Sequence, residues 1–145
     1  FKRTSEDAIT RARRWAPTGG NLGSPQAYLA ISNIEGLANG YYAYSAYEHS
    51  LVLLQADAEL VDEGVEIVIV SEFDRVWRKY GTFSYRVVSL DAGVALTNLA
   101  LMSTHIGLKM SNLTSWDEHD IAKRFGIDLF TQAVTARVIL GEGTC

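Results

Sequence analysis

Apolar positions change their spacing several times along this chain, and each change marks an expected element. Ala27–Ser32 alternates in the manner of a strand. "YYAYSAYEHSLVLL" reads as a hairpin, with strands Tyr41–Tyr44 and Ser50–Leu54 and a polar turn at Ser45–His49. "VEIVIV" (Val65–Val70) is a run of β-branched residues and predicts a strand buried on both faces. Gln132–Leu140 predicts a final strand, and Leu108–Trp116 a short strand or loop. Helical spacing appears elsewhere. Glu6–Trp15 predicts a short helix with Ser5 as N-cap, and Asp57–Glu63 predicts another. Glu72–Tyr80 places Phe73, Val76, Trp77 and Tyr80 on one side of a helix. Asp117 caps a helix that runs to Phe125 and stops at Gly126. The longest candidate, Tyr85–Ile106, ends at Gly107 and is apolar almost all round. Such a helix belongs in the middle of a domain or in a subunit interface. Mixed helices and strands of this order predict the α+β class.

Composition narrows the picture. A chain of 145 residues, 48% of them hydrophobic, is the size of one domain and can build a packed core. A net charge of −4 argues against a nucleic-acid partner. No uninterrupted apolar run approaches the roughly 20 residues of a membrane span, so no membrane partner is expected. The opening "FKRTSEDAIT" is too polar for a signal peptide. The one cysteine, Cys145, suits a reducing, cytoplasmic compartment. The start at Phe1 and the stop just after an apolar run suggest a piece of a longer protein.

Two stretches could carry chemistry. "RRWAPTGGNLGSPQAYLAI" (Arg13–Ile31) is a glycine-rich loop that is costly to order. Its N–H groups could face an acceptor, Thr18 and Asn21 could add side-chain hydrogen bonds, and Arg13 and Arg14 could face a phosphate. It is equally readable as an ordinary glycine turn after a helix. "RKYGTFSYR" (Arg78–Arg86) places Lys79 beside Tyr80 at a helix end. In a closed pocket such a pair can transfer protons; otherwise it is a solvated lysine and a packed tyrosine at a C-cap. His49, His105 and His119 have no partners at metal-ligand spacing, so no metal is expected. No nucleophile elbow or P-loop is present, and "GGNLG" lacks the dinucleotide spacing.

Four segments taken in order, "RRWAPTGGNLGSPQAYLAI", "IEGLANGYYAYSAYEHSLVLL", "EFDRVWRKYGTFSYRVVSLDAGVALTNLALMSTHIGL" and "RFGID…ARVILGEG", resemble the nitroreductase-like flavoenzymes. Within them the likeness is to the SagB-type group, which includes dehydrogenases that oxidise azoline rings in peptides to azoles. That group carries an Arg-x-x-Pro-Ser-x-Gly loop and a Gly-Leu-Tyr-x-Tyr hairpin followed by His-x-Leu. Here these read Arg14-Trp15-Ala16-Pro17-Thr18-Gly19-Gly20, Gly40-Tyr41-Tyr42-Ala43-Tyr44 and His49-Ser50-Leu51. The strand after the loop, commonly Glu-x-Tyr, reads Gln26-Ala27-Tyr28.

The resemblance implies a nitroreductase-like sheet flanked by helices, forming one FMN-binding domain over residues 1–145. It implies FMN held at the interface of a homodimer, with Tyr85–Ile106 as the long dimer helix. Pro17, Thr18, Gly19, Gly20 and Asn21 would contact the flavin, and Ser111 and Asn112 would lie near its ring. Lys79 and Tyr80 fall where azoline dehydrogenases carry a catalytic Lys-Tyr pair. The substrate would be a modified peptide or small molecule, and the protein could sit in a larger biosynthetic complex. The alternatives are a nitroreductase or flavin reductase using NAD(P)H on aromatic or quinone-like compounds, and a non-catalytic dimerising relative without FMN. One departure bears on this choice. The family opens with Arg-x-Ser-x-Arg, whose arginines hold the FMN phosphate; here Arg3-Thr4-Ser5 is followed by Asp7 in the second arginine's place, and Ser5 and Pro17 are unusually close. Either the phosphate site is lost or rebuilt from Arg11, Arg13 and Arg14, or sequence is missing near Ser5.

Overall fold

The computed structural model describes residues 16–57, 60 and 64–142. The helix expected over Glu6–Trp15 lies outside them, as does most of the one expected over Asp57–Glu63, where Asp57 and Leu60 are non-helical. Strands β1 (Pro25–Ser32), β2 (Gly40–Ser45), β3 (Ser50–Ala56) and β4 (Gly64–Glu72) come first. Helices α1 (Phe73–Tyr80) and α2 (Ser84–His105) follow, joined by a 3-10 turn at Gly81–Phe83. Then come β5 (Leu108–Leu113), α3 (Glu118–Phe125) and β6 (Gln132–Glu142). The six strands form one sheet in the order β3-β2-β1-β4-β6-β5. Every neighbouring pair is antiparallel.

β4 runs through the middle, and Ile67, Val68, Ile69 and Val70 are all buried, as a strand covered on both faces requires. Val68 and Val70 pack with Ile121 and Phe125 of α3 on one face. Ile67 and Ile69 pack with Ala92 of α2 on the other. β6 serves both layers through an irregularity opposite Ile69 and Val70, where Thr135 is the extra residue. That slip turns Val134 towards α3 while Ala136 and Val138 face α2. Phe125 closes the α3 layer edge-on to Tyr28 and Tyr41, at centroid distances of 5.7 and 5.2 Å. Burial raises the Tyr41 pKa, the nearby Arg124 partly opposing it.

Asp117 caps α3 as expected, its Oδ1 accepting the N–H groups of His119 (2.9 Å) and Asp120 (3.1 Å). Asp117→Ala is expected to cost about 1 kcal/mol, read as a shifted denaturant midpoint with unchanged slope.

α2 departs from a helix enclosed in a domain. Val87, Val88, Asp91, Ala92 and Ser103 are buried, but Tyr85, Leu90 and Leu101 on other faces are 71%, 67% and 66% exposed. The expectation about apolar runs also needs correction. The helical run Phe73–His105 is long and apolar enough to cross a membrane by length and composition, with a window of mean hydropathy 1.4 that is 28% buried. Scattered serines and threonines, with Arg86 and Asp91, break the uninterrupted run without lowering the average much.

Three segments meet at one end of the sheet. Pro25 lies opposite Ser71, and Ser71 opposite Ala133, so the loop before β1, the start of α1 and the turn before β6 are neighbours. The Phe73 and Asp74 N–H groups donate to Thr131 O at 3.0 and 3.1 Å, which seats the N-terminus of α1 on that turn. Glu72 N–H donates to Ser24 O at 2.9 Å and ties in the loop.

Candidate functional site

The glycine loop folds into a 3-10 turn at Gly19–Asn21. Most of its N–H groups are used inside the protein rather than aimed at a ligand. Asn21 N–H donates to Thr18 O (3.0 Å) and Leu22 N–H to Gly19 O (3.2 Å). Gly23 N–H donates to Thr18 Oγ1 at 2.9 Å, and Gly19 N–H to Asp91 Oδ1 at 2.8 Å. The Gly20 N–H is outside these bonds, and Gly20 is exposed. The expectation of a loop full of free donors is thus corrected: the N–H groups of Gly19, Asn21, Leu22 and Gly23 are all taken within the protein. A short loop rich in glycine and hydroxyl residues satisfies itself first, because unpaired N–H groups are costly.

The loop is clamped by two helices. Asp91, in the middle of α2, is only 5% exposed. Its Oδ2 accepts from Ser24 Oγ at 2.5 Å, so the carboxylate holds the loop at both ends. From α1, Arg75 Nη1 donates to Leu22 O (3.2 Å) and Gly23 O (3.3 Å). Leu22 packs with Val76, Val87, Val88 and Tyr80 between the helices. Asp91 and Arg75 were not among the sequence candidates. The available signal was a single acid on the core-facing side of an otherwise apolar helix.

These clamps bring the two candidate stretches together at Gly20. Gly20 has a φ of 61°, and a Cβ there would lie 2.5 Å from Lys79 Nζ and 2.7 Å from Tyr80 Oη. The ammonium and the phenol thus converge on one bare stretch of backbone. Lys79 is exposed and Tyr80 half-buried, with Nζ 5.5 Å from the tyrosine ring centroid. Lys79 being exposed, no closed pocket surrounds the pair among the described residues. Two cavities, of about 510 and 500 Å³, lie elsewhere: one between Leu96, Trp116 and Val134, the other between His119, Ile127 and Phe130.

The remaining candidates divide. Pro17 is exposed beside the loop, Thr18 is half-buried within it, and Asn21 stands at its exposed edge with a φ of 56°. Ser111 and Asn112 are exposed on edge strand β5, separated from β1 by β4 and β6, and are not brought to the loop within one chain. Arg3, Ser5 and Arg14 lie outside the described residues, as do Arg11 and Arg13. Among the described residues no three His, Cys, Asp or Glu side chains gather as a metal-ligand set. His49 instead pairs through Nδ1 with Tyr44 Oη at 2.8 Å in the β2–β3 hairpin.

Residues 4–142 match the family model described as Nitroreductase family. The chain belongs to the nitroreductase family. Its resemblance to a Methanocaldococcus jannaschii protein assigned as a nitroreductase is 23% identity over 125 residues, covering 77% of this chain and 63% of the relative. This nitroreductase-family chain therefore spans less than two thirds of that relative's length. Among solved structures, a protein of Anabaena variabilis assigned as a nitroreductase superposes with a TM-score of 0.81 at 21% identity, covering 88% of this chain and 29% of that one. A chain of the E. coli microcin synthetase McbBCD complex with truncated pro-MccB17 bound superposes at 0.77 and 21% identity, covering 94% and 58%. At these identities the structural likenesses establish the fold: an α+β nitroreductase fold with one antiparallel sheet and a long helix.

Proposed function

We propose that this chain is the flavin-binding part of an FMN-dependent oxidoreductase that oxidises azoline rings in peptides to azoles, and that it works as a homodimer. The observation that carries the proposal is the meeting of Lys79 and Tyr80 at Gly20. A Lys-Tyr pair is what the resemblance to azoline dehydrogenases assigns to catalysis, and the loop it meets is the one assigned to the flavin. The fold shared with a chain of the microcin synthetase complex, solved with truncated pro-MccB17 bound, supports a larger biosynthetic complex.

The described residues fit the ring part of FMN. Gly20 carries no side chain, its exposed N–H is an available donor, and the Lys79 ammonium and Tyr80 phenol stand beside it where a Cβ would be. Arg3, Ser5 and Arg14 are the proposed phosphate contacts, with Thr18, Gly19, Gly20 and Asn21 along the ring edge. The exposed apolar face of α2, with Tyr85, Leu90 and Leu101, is the surface through which two copies would meet. A second copy would wall the open site, and Ser111 and Asn112 would reach it only across that interface.

When bound, FMN supplies the two-electron acceptor for the hydride that leaves the azoline ring. The protein's own task is the proton. Tyr80 Oη takes it from the ring carbon adjacent to the departing hydride, and Lys79 Nζ stabilises the phenolate that does so. The ring loses one proton and one hydride and gains a double bond, and Tyr80 returns its proton through solvent. α1 carries Arg78 and Lys79 in its last turn, where the dipole favours cations.

A second reading is supported by the archaeal relative: reduction of nitroaromatic or quinone-like compounds with NAD(P)H. The test is an absorbance spectrum of the purified protein with the mass of the released cofactor, followed by mass analysis of an azoline peptide. Flavin absorbance, a released mass of FMN and loss of two hydrogens per ring are expected. Rapid NAD(P)H-driven nitroaromatic reduction with an unchanged azoline peptide favours the second reading. Colourless, monomeric protein that FMN cannot reconstitute would sink both.

A further inference from the structure

We infer that Asp91 is a positioning residue: from inside α2 its carboxylate sets the glycine loop, and so sets where Gly20 meets Lys79 and Tyr80. The functional meaning of the inference rests on the flavin reading above; the anchoring itself does not.

A buried carboxylate is costly unless strong hydrogen bonds replace its water. Nothing in the packing of α2 calls for one, since its neighbours Val87, Val88 and Ala92 are apolar and buried. Both oxygens are nonetheless committed, and both to the same loop. Oδ1 accepts Gly19 N–H at 2.8 Å and Oδ2 accepts Ser24 Oγ at 2.5 Å, with Ser24 fully buried. These contacts bracket the 3-10 turn that presents Gly20. The loop also lies tight against the helix: a Cβ on Gly19 would run into Val87 Cγ1.

The opposite side of the loop is held by α1. Arg75 grips the Leu22 and Gly23 carbonyls one helical turn before Lys79, and positions four apart share a helix face. Released from Asp91, the loop would remain tethered to Arg75 but would no longer have a defined separation from Lys79 Nζ and Tyr80 Oη. Asp91 touches neither of those atoms, so it acts through the loop.

The variants are Asp91→Ala, which removes both acceptors, and Asp91→Asn, whose Oδ1 still accepts from Gly19 while Ser24 Oγ turns to accept from the amide. Val138→Ala, a core variant against α2 that does not touch the loop, is the control for general destabilisation. Amide hydrogen exchange is measured in the flavin-free protein, and FMN affinity separately. In Asp91→Ala the Gly19 and Gly23 amides should exchange on the order of 10- to 100-fold faster, with β4 unchanged. FMN affinity should fall about as much, and Asp91→Asn should recover most of both losses. Val138→Ala should lower the melting temperature without either loop effect. Should Asp91→Ala fail to fold, Ser24→Ala removes one of the two bonds and carries the same readouts. The inference is overturned if loop exchange in these variants matches wild type, if Asp91→Asn is no better than Asp91→Ala, or if Val138→Ala loses loop protection equally. Wild-type protein that never binds FMN, yet releases its loop in Asp91→Ala, would remove the flavin reading and leave the anchoring standing. Protein that binds FMN equally well with and without the carboxylate, and keeps its loop protection, would remove the anchoring alone.

Discussion

Gly20→Ala is expected to lower azoline turnover by about 10- to 100-fold while costing the fold only about 1–2 kcal/mol. The stability cost is that of a Cβ in left-handed backbone, at a φ of 61°. The loss of turnover has a separate cause. The added Cβ would lie 2.5 Å from Lys79 Nζ and 2.7 Å from Tyr80 Oη, and both must move. Lys79 is exposed and swings away at little cost. Tyr80 packs against the cluster of Leu22, Val76, Val87 and Val88, so its phenol cannot follow. The pair is separated, and a misplacement of about 1 Å is enough to cost a large factor in rate. Gly36 supplies the control, with a φ of 81° and nothing within 4 Å of an added Cβ. Gly36→Ala should pay the backbone cost and keep full turnover. Thermal unfolding and turnover measured on the same preparations separate the two effects. If both variants lose turnover in step with stability, the contact at Gly20 has no functional meaning.

The parts of this fold that could be read from sequence are those whose signal is local. Val65–Val70 announces a strand covered on both faces because five of its six side chains are β-branched and Glu66 is its one polar residue. Asp117 and Gly126 bracket α3 because capping needs only residues within a turn of the helix end. The two strands of the β2–β3 hairpin are separated by their own polar turn. From sequence β5 reads as either strand or loop, since it is an edge strand whose Leu108–Leu113 has one neighbour, β6, and no buried side chain. Its pairing partner lies far along the chain and leaves no mark in its own composition. The two clamps on the glycine loop are hidden for the same reason: Gly19 and Asp91 are 72 residues apart. Composition shows that the loop has donors, but only the tertiary structure shows that Asp91 and Thr18 consume most of them. The outer face of α2 is the converse case. Its apolar character is legible, but periodicity reports apolar area and says nothing of what covers it. In the single chain that area is open, which is why the interface with a second copy enters as a proposal.

Lys79→Ala and Tyr80→Phe are each expected to lower azoline oxidation by roughly 100- to 10,000-fold, the range that removal of a general base commonly produces. Flavin absorbance should be retained, because the clamps on the loop come from Asp91 and Arg75 rather than from this pair. Tyr80→Phe removes the oxygen proposed to take the proton and keeps the ring packed with Leu22 and Val76. Lys79→Ala removes the cation beside it and leaves the phenol in place. Among the described residues Lys79 forms no ion pair, whereas Arg78, its neighbour in the last turn of α1, bonds Asp74 at 2.7 Å. Arg78→Ala therefore removes an adjacent positive charge that is already paired, and should keep turnover near wild type. Reduction of nitroaromatics by NAD(P)H is the second readout, since hydride delivery to and from a flavin asks for no proton abstraction from a ring carbon. Variants that lose azoline oxidation but keep nitroaromatic reduction locate the pair at the proton step. Equal loss of both activities would mean that Lys79 and Tyr80 only support the flavin loop. Full turnover in both variants would mean that the proton leaves by another group.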